Sequence, residues 1–449
     1  MPASIIDSAI FGDIFTTPEM RRLWSDAHRT AQYLAFEASL AKVQGALGVI
    51  PAAAAAEIVR VCRIENIDMV QLKGQTERAG TPILGLVAQI NALCQGGFGE
   101  YTHWGATTQD VTDTATVLQI RDSLTIVDAE LMAIGNALAA LARRHRDTPM
   151  AGRTNLQQAV PITFGYKMAG LLSAVQRHRE RLAQLRPRVL QGEFAGAAGT
   201  LASLGSGDAM AIQAALCAEL GLAQPLIAWH TQRDSIAEVG AFLGLVGGTL
   251  GKLAMDIKLL MQTEVAEVFE PFAHGRGSSS TMPQKRNPIS CTYIHAQVSV
   301  VRQHVAALLD AMVGDHERAT GPWEIEWIVL PEAFCLLAGA LSQSRHLVEG
   351  LEVDAARMRA NLDLTHGLVV SEAVMMGLAP TMGRGRAHDV VYETCRAAIA
   401  QKRPLLELLA ENAEVMQHAS REQLAALCDP AAYLGQAGTM VDRVLARQR

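Results

Sequence analysis

The 449-residue chain carries a formal net charge of −6 and no basic run, so it lacks the concentrated positive footprint that nucleic-acid binding needs. Aromatic residues make up 5% while Ala and Leu dominate, a composition that favours helices over sheets lined with branched and ring side chains. The N-terminus has no basic flank before an apolar core, and no uninterrupted apolar run approaches a membrane span. Seven cysteines, scattered and never in a Cys-x-x-Cys pair, read as reduced thiols. A cytoplasmic protein with no disulfide, metal or membrane contact is expected.

In chain order, the first ~110 residues carry short helical patterns broken at Gly45 to Gly48, Pro51 and Gly96-Gly97, which suggests a separate N-terminal domain over 1–112. The polar cluster His103-Trp-Gly-Ala-Thr-Thr-Gln-Asp110 follows. Its adjacent hydroxyls suit either helix capping or ligand binding, and the residues alone leave both open. Apolar residues then recur at Val117, Ile120, Leu124, Val127, Leu131, Ile134, Leu138 and Leu141, alternating by three and four. This seam predicts a helix of roughly 45–50 Å, with Asp113 as its cap and Arg143, Arg144 and His145 complementing the dipole at its end.

Within Gly152 to Pro161, Thr154 and Gln157 have the i, i+3 spacing of one helical face. A less regular helical pattern covers Met168 to Leu185. The glycine-rich stretch Gly192 to Gly207 lacks the strand and helix of a dinucleotide site and reads as a flexible loop. Arg233, in Trp229-His-Thr-Gln-Arg-Asp234, suits bidentate carboxylate recognition, with a pairing to Asp234 or Glu238 as the alternative. A second seam runs from Ile236 to Leu260, beside the stripe Gly240, Gly244, Gly247 and Gly251, which lets a neighbouring backbone approach.

Residues 277–288, Gly-Ser-Ser-Ser-Thr-Met-Pro-Gln-Lys-Arg-Asn-Pro, contain too much Gly, Ser and Pro to continue a helix and form an anion-holding loop between stiff elements. A third seam, Ile294 to Met312, follows. His316-Glu317 has no second metal ligand at helical spacing, and no nicotinamide or metal cofactor is expected. After Gly350 the pattern shortens into compact helices over 352–362, 367–379 and 386–400, separated at Pro380 and Gly383 to Gly385. His366 reads as a surface or loop histidine, as does His274. The fold class is therefore all-α, with a central long-helix bundle over 113–351 and a C-terminal helical domain over 352–449. Helices this long expose more apolar edge than one bundle hides, which implies a homo-oligomer.

Taken together, these blocks resemble the fumarase/aspartase superfamily, whose signature Gly-Ser-Ser-x-Met-Pro-x-Lys-x-Asn is matched from Ser278 to Asn287, with Ser278 in place of its glycine. Within it the chain is most similar to the bacterial 3-carboxy-cis,cis-muconate cycloisomerases. That resemblance rests on His103 to Thr107, Trp229 to Asp234, Leu260 to Glu264 through Pro271, Trp323 to Pro331, and Leu362 to Thr365 with Gly367-Leu368. It implies a three-domain subunit and a homotetramer whose sites combine residues from three chains. It also implies a small di- or tricarboxylate substrate and no cofactor.

By the same match, Ser279 would act on the carbon next to a carboxylate, and Lys285 and Asn287 would orient and neutralise that carboxylate. Thr107, Thr108, Thr154 and Gln157 would complete the anion site, and His103, Asn155, Arg233 and Arg318 join the substrate-binding set. Asn155 stands where relatives that expel an amine or hydroxide usually carry histidine. A carboxylate nucleophile is already ionised at neutral pH and needs no such acid, so Asn155 fits lactonization in aromatic (protocatechuate) degradation. Ser278 and Asn155 also depart from the cycloisomerases, which keeps two alternatives open: a sulfomuconate analogue as substrate, or fumarate release from a succinyl compound with a good leaving group.

Overall fold

The computed structural model describes residues 4–205, 208–271, 273 and 275–448; His274 lies outside them. The chain is largely helical, but two small antiparallel sheets depart from the all-α expectation: Pro149–Thr154 with Gln157–Thr163, and Val268–Phe269 with Glu352–Val353. Five long helices dominate, Thr108–Arg144, Phe164–Val189, Asp234–Leu260, Ile289–Asp310 and Pro322–Glu349.

The first seam is buried throughout its predicted length, and each fully buried Leu, Ile or Val contributes about 1.5–3 kcal/mol relative to exposure. Its helix starts earlier than the apolar spacing suggests, at Thr108, and at 37 residues runs about 55 Å. Asp113 is not its cap. That residue is buried inside the helix, while Asp110 accepts the Thr107 backbone N–H at 2.9 Å, in the manner of a capping-box acid. The second seam is likewise buried. A Cβ on Gly240 or Gly244 would lie 2.5 Å from Leu308 or 2.8 Å from Val305, so the stripe is what lets helix 289–310 pack so closely. The third seam ends sooner than expected, because Met312 lies past the helix terminus and is exposed. Pro380, expected to separate helices, sits in the last turn of Ser371–Met382; His366 is exposed in a turn with φ 53°.

Helices 108–144, 234–260 and 322–349 are long and apolar enough in composition to cross a membrane, although none is an uninterrupted apolar run. Their apolar windows are 44–67% buried inside the protein, as bundle helices require.

Two compact units are distinguishable. One comprises 1–131, 178–250 and 293–342; the other comprises 132–177, 251–292 and 343–449.

Candidate active site

In the first unit, Thr107 and Thr108 stand half-buried at the start of helix 108–144, where unsatisfied N–H groups and the helix dipole favour an anion. His103 precedes them with φ 60°, its Nδ1 2.6 Å from Oε1 of buried Glu37. Gln109 is the hub behind the threonines. Its amide donates to the His230 carbonyl at 2.8 Å and to Asp113 at 3.0 Å, while its oxygen accepts from Arg318 Nη1 at 2.5 Å. Arg318 also donates to the Ala197 carbonyl at 2.7 Å. It has no carboxylate partner among the described residues, so its charge is available to an anion.

Arg233 takes a different place from the expected one. Its guanidinium is 3% exposed and saturated by Asp113 and Glu326, neither of which is the Asp234 or Glu238 suggested by chain proximity. With every edge committed to internal carboxylates, Arg233 is a buried structural ion and leaves the substrate-binding set. Beside it lies a cavity of about 470 Å³ walled by Trp24, Tyr33, Leu72, Trp323 and Trp327.

Asp110, Glu193 and His230 form the one buried grouping among the described residues with metal-like spacing. Asp110 accepts from His230 Nε2 at 2.8 Å and from the N–H groups of Thr107, Ala195 and Gly196, which occupies its lone pairs. Burial, reinforced by the charges of Asp110 and Asp113, pushes the Glu193 carboxyl up to about 9, so it is neutral near pH 7. A neutral acid beside a saturated carboxylate suits a hydrogen-bond network that clamps residues 192–196 onto helix 108–144, and it makes a poor cation site. The part of the glycine-rich stretch read as flexible is buried here.

In the second unit, Thr154, Asn155 and Gln157 are exposed at the tip of a β-hairpin. Thr154 and Gln157 are cross-strand partners at the end of the ladder, where the helical i, i+3 reading had put them on one helix face. Asn155 and Leu156 form the two-residue turn with φ 49° and 64°, the twisted geometry that joins adjacent strands most directly. Asparagine tolerates this conformation, so Asn155 has a backbone reason as well as a chemical one. Arg153 anchors the hairpin through a bidentate pair with Glu267 at 2.9 and 2.7 Å, and Gln158 donates to the Asn361 carbonyl at 2.9 Å.

The 277–288 loop closes on itself. Asn287 donates its backbone N–H and its Nδ2 to the Gly277 carbonyl at 3.1 and 3.0 Å, and Ser278 bridges Arg286. Gly277 has φ 68°, and a Cβ there would lie 2.7 Å from the Asn287 carbonyl oxygen, so only glycine fits. At the root, Arg286 donates to the Glu270 carbonyl, and the Glu270 carboxylate accepts the Ser290 and Cys291 N–H groups at the start of helix 289–310. Ser279 Oγ accepts the Thr281 and Met282 N–H groups at 3.3 and 3.0 Å, and Lys285 is exposed. The two N–H donors hold the side chain in one orientation.

The expected residues thus fall into two sets, each inside one unit: His103, Thr107, Thr108 and Arg318 in the first, and Thr154, Asn155, Gln157, Ser279, Lys285 and Asn287 in the second. Sequence reading missed Gln109, although it lies inside the first block. It also missed Glu37, which carries no local signal at all.

The family described as Lyase matches residues 13–302, and that described as Adenylosuccinate lyase C-terminus matches residues 367–444. The chain is 57% identical over 442 residues to trans-aconitate decarboxylase 1 of Mycosarcoma maydis, covering 98% of this chain and 90% of that protein. It is 49% identical over 440 residues to 3-carboxy-cis,cis-muconate cycloisomerase of Pseudomonas aeruginosa, covering 97% and 96%. The crystal structure of 3-carboxy-cis,cis-muconate lactonizing enzyme from Pseudomonas putida matches with a TM-score of 0.93 at 44% identity, covering 98% of this chain and 99% of that one. The chain therefore belongs to the Lyase family of the fumarase/aspartase superfamily, and is an enzyme similar to its carboxymuconate cycloisomerases.

Proposed function

We propose that the chain closes 3-carboxy-cis,cis-muconate to a carboxymuconolactone, as an intramolecular lyase acting without a cofactor. A substrate carboxylate oxygen adds to a C=C bond. The displaced π pair moves onto the neighbouring carboxylate as an enediolate, and a proton from Ser279 Oγ then reaches the α-carbon. Lys285, Asn287, Arg318 and the threonines at the helix start stabilise the charge as it forms. Serine performs this transfer only in a desolvated, electropositive setting, which the donors on its Oγ begin to supply.

The observation that supports this reading is that Ser279 is held by two N–H groups while the hairpin turn carries Asn155, which is no acid for an amine or hydroxide leaving group. We further propose a cytoplasmic homotetramer in which the two residue sets meet across subunits, with the chain divided at 112/113 and 351/352.

A second reading is favoured by the 57% identity to the trans-aconitate decarboxylase. Loss of CO2 from the methylene-linked carboxylate of trans-aconitate would push a pair through the C=C bond onto the conjugated carboxylate. The resulting enediolate takes a proton at its α-carbon, again from Ser279, and again without an acid at position 155. Both readings pass through an enediolate that is protonated at its α-carbon, formed in one case as a C–O bond forms and in the other as a C–C bond breaks. Purified protein should either bleach the diene absorbance of 3-carboxymuconate without gas release, or release CO2 from trans-aconitate with formation of one methylene-succinate per turnover. Fumarate release from a succinyl adduct, with neither of these, would overturn both.

A further inference from the structure

Glu37 lies on helix Asp26–Ala46, 66 residues before the block it touches, and is 1% exposed. Its Oε1 is 2.6 Å from His103 Nδ1, and its Oε2 is buried without any hydrogen-bond partner. No Lys or Arg pairs with it among the described residues, so His103 is the one group able to balance a carboxylate buried there. An uncompensated buried charge costs several kcal/mol, and that cost is relieved when the imidazole keeps its second proton. The same helix grips the loop again two turns on, where Gln44 Nε2 donates to the Trp104 carbonyl at 2.8 Å. The His103 ring is thus held at Nδ1 and through its backbone. Nε2 has no partner among the described residues, and a fifth of the side chain stays open, four residues ahead of Thr107.

We infer that Glu37 is a positioning residue: it holds His103 as a charged donor whose Nε2–H meets one carboxylate of the substrate at the helix 108–144 N-terminus. This role rests on the function proposed above. Burial by itself would depress the His103 pKa, but the charge and hydrogen bond of Glu37, with a smaller contribution from Asp110, outweigh it and raise the pKa. Cys62, which also faces Glu37, has its thiol pushed well above its ordinary range by burial and stays neutral. The positive charge that balances Glu37 therefore comes from His103 and not from a neighbouring group. Because Nδ1 is occupied, only Nε2 can reach outward, which gives the pair a direction as well as a charge.

The test uses the full protein and tricarballylate, a saturated tricarboxylate that neither reaction can turn over. Peptide-level mass spectrometry of diethylpyrocarbonate labelling against pH reports the titration of His103, and calorimetry reports tricarballylate binding. In the wild type, His103 should titrate above about 6.5, and tricarballylate should protect it from labelling. In Glu37→Gln the midpoint should fall, and the tricarballylate Kd at pH 7 should rise about tenfold, the scale of one lost charge-assisted hydrogen bond. His103→Gln, which keeps a partner for Glu37, should lose the same affinity and serves if Glu37→Gln does not fold. An unshifted midpoint, or a shifted midpoint with unchanged affinity, overturns the inference. Absence of turnover with either proposed substrate, while the midpoint shift and protection persist, would instead strike the proposed function and leave the pair standing as an anion-binding device.

Discussion

Arg233 and Asp113 meet through two hydrogen bonds, Nη1 and Nη2 donating at 2.7 and 3.1 Å, while the other edge of the guanidinium holds Glu326 at 2.8 and 2.5 Å. Trp323 Nε1 also donates to Asp113 at 3.0 Å, and the guanidinium stacks 4.9 Å from the Trp229 ring. Asp113 passes this arrangement through Gln109 to Arg318. One buried ion thus sets the position of an available cation.

Arg233→Met would strand Asp113 and Glu326 without a counter-charge and should cost roughly 3–5 kcal/mol of stability. Arg233→Lys should recover little of it, because an ammonium cannot fork to two carboxylates. Chemical denaturation measures the loss. An unchanged midpoint combined with a large rise in KM would return Arg233 to the substrate-binding set.

Gly277→Ala forces a Cβ against the Asn287 carbonyl at a left-handed φ. Strain of about 1–3 kcal/mol confined to the loop should lower kcat/KM by tenfold or more while leaving the melting temperature of the bundle nearly unchanged. Steady-state kinetics and calorimetry on the same preparation check both halves.

Asn155→Gly keeps the turn geometry and removes the side chain. If position 155 supplies no proton, kcat should stay within about threefold of wild type. A thousandfold loss, measured on whichever substrate is turned over, would assign Asn155 a chemical role.

Glu193 holds its proton in the folded state up to about pH 9, whereas an unfolded glutamate releases it near 4.3. In between, the folded state binds more protons than the unfolded one, so this group makes stability fall as pH rises from about 4.3 to about 9. Glu193→Gln, which can still accept the Trp229 N–H, should flatten that decline and raise the melting temperature at pH 8 relative to wild type. An identical pH slope in the variant would show that Glu193 is ionised in the fold.

The long helices were legible because Val117 to Leu141 and Ile236 to Leu260 repeat their apolar residues with the helical period, and that period is what the bundle buries. The 277–288 loop was legible from Gly, Ser and Pro, since these residues break a helix for local reasons. The hairpin at Thr154 was not. Its polar tip fits helical i, i+3 spacing as well as cross-strand pairing, and only the Asn155-Leu156 turn distinguishes them. Arg233 was misplaced because its partners lie 120 and 93 residues away, and an arginine next to Asp234 carries no mark of burial. Glu37 is hidden for the same reason, as an acid whose partner is reached only after the chain has folded.

Single-turnover kinetics of Ser279→Ala in D2O tests the central claim most directly. Wild type should convert 3-carboxymuconate or trans-aconitate with one deuterium placed at the α-carbon. The variant should lose about a thousandfold or more in rate yet bind tricarballylate with unchanged Kd. Retention of most of the wild-type rate by Ser279→Ala would contradict the account.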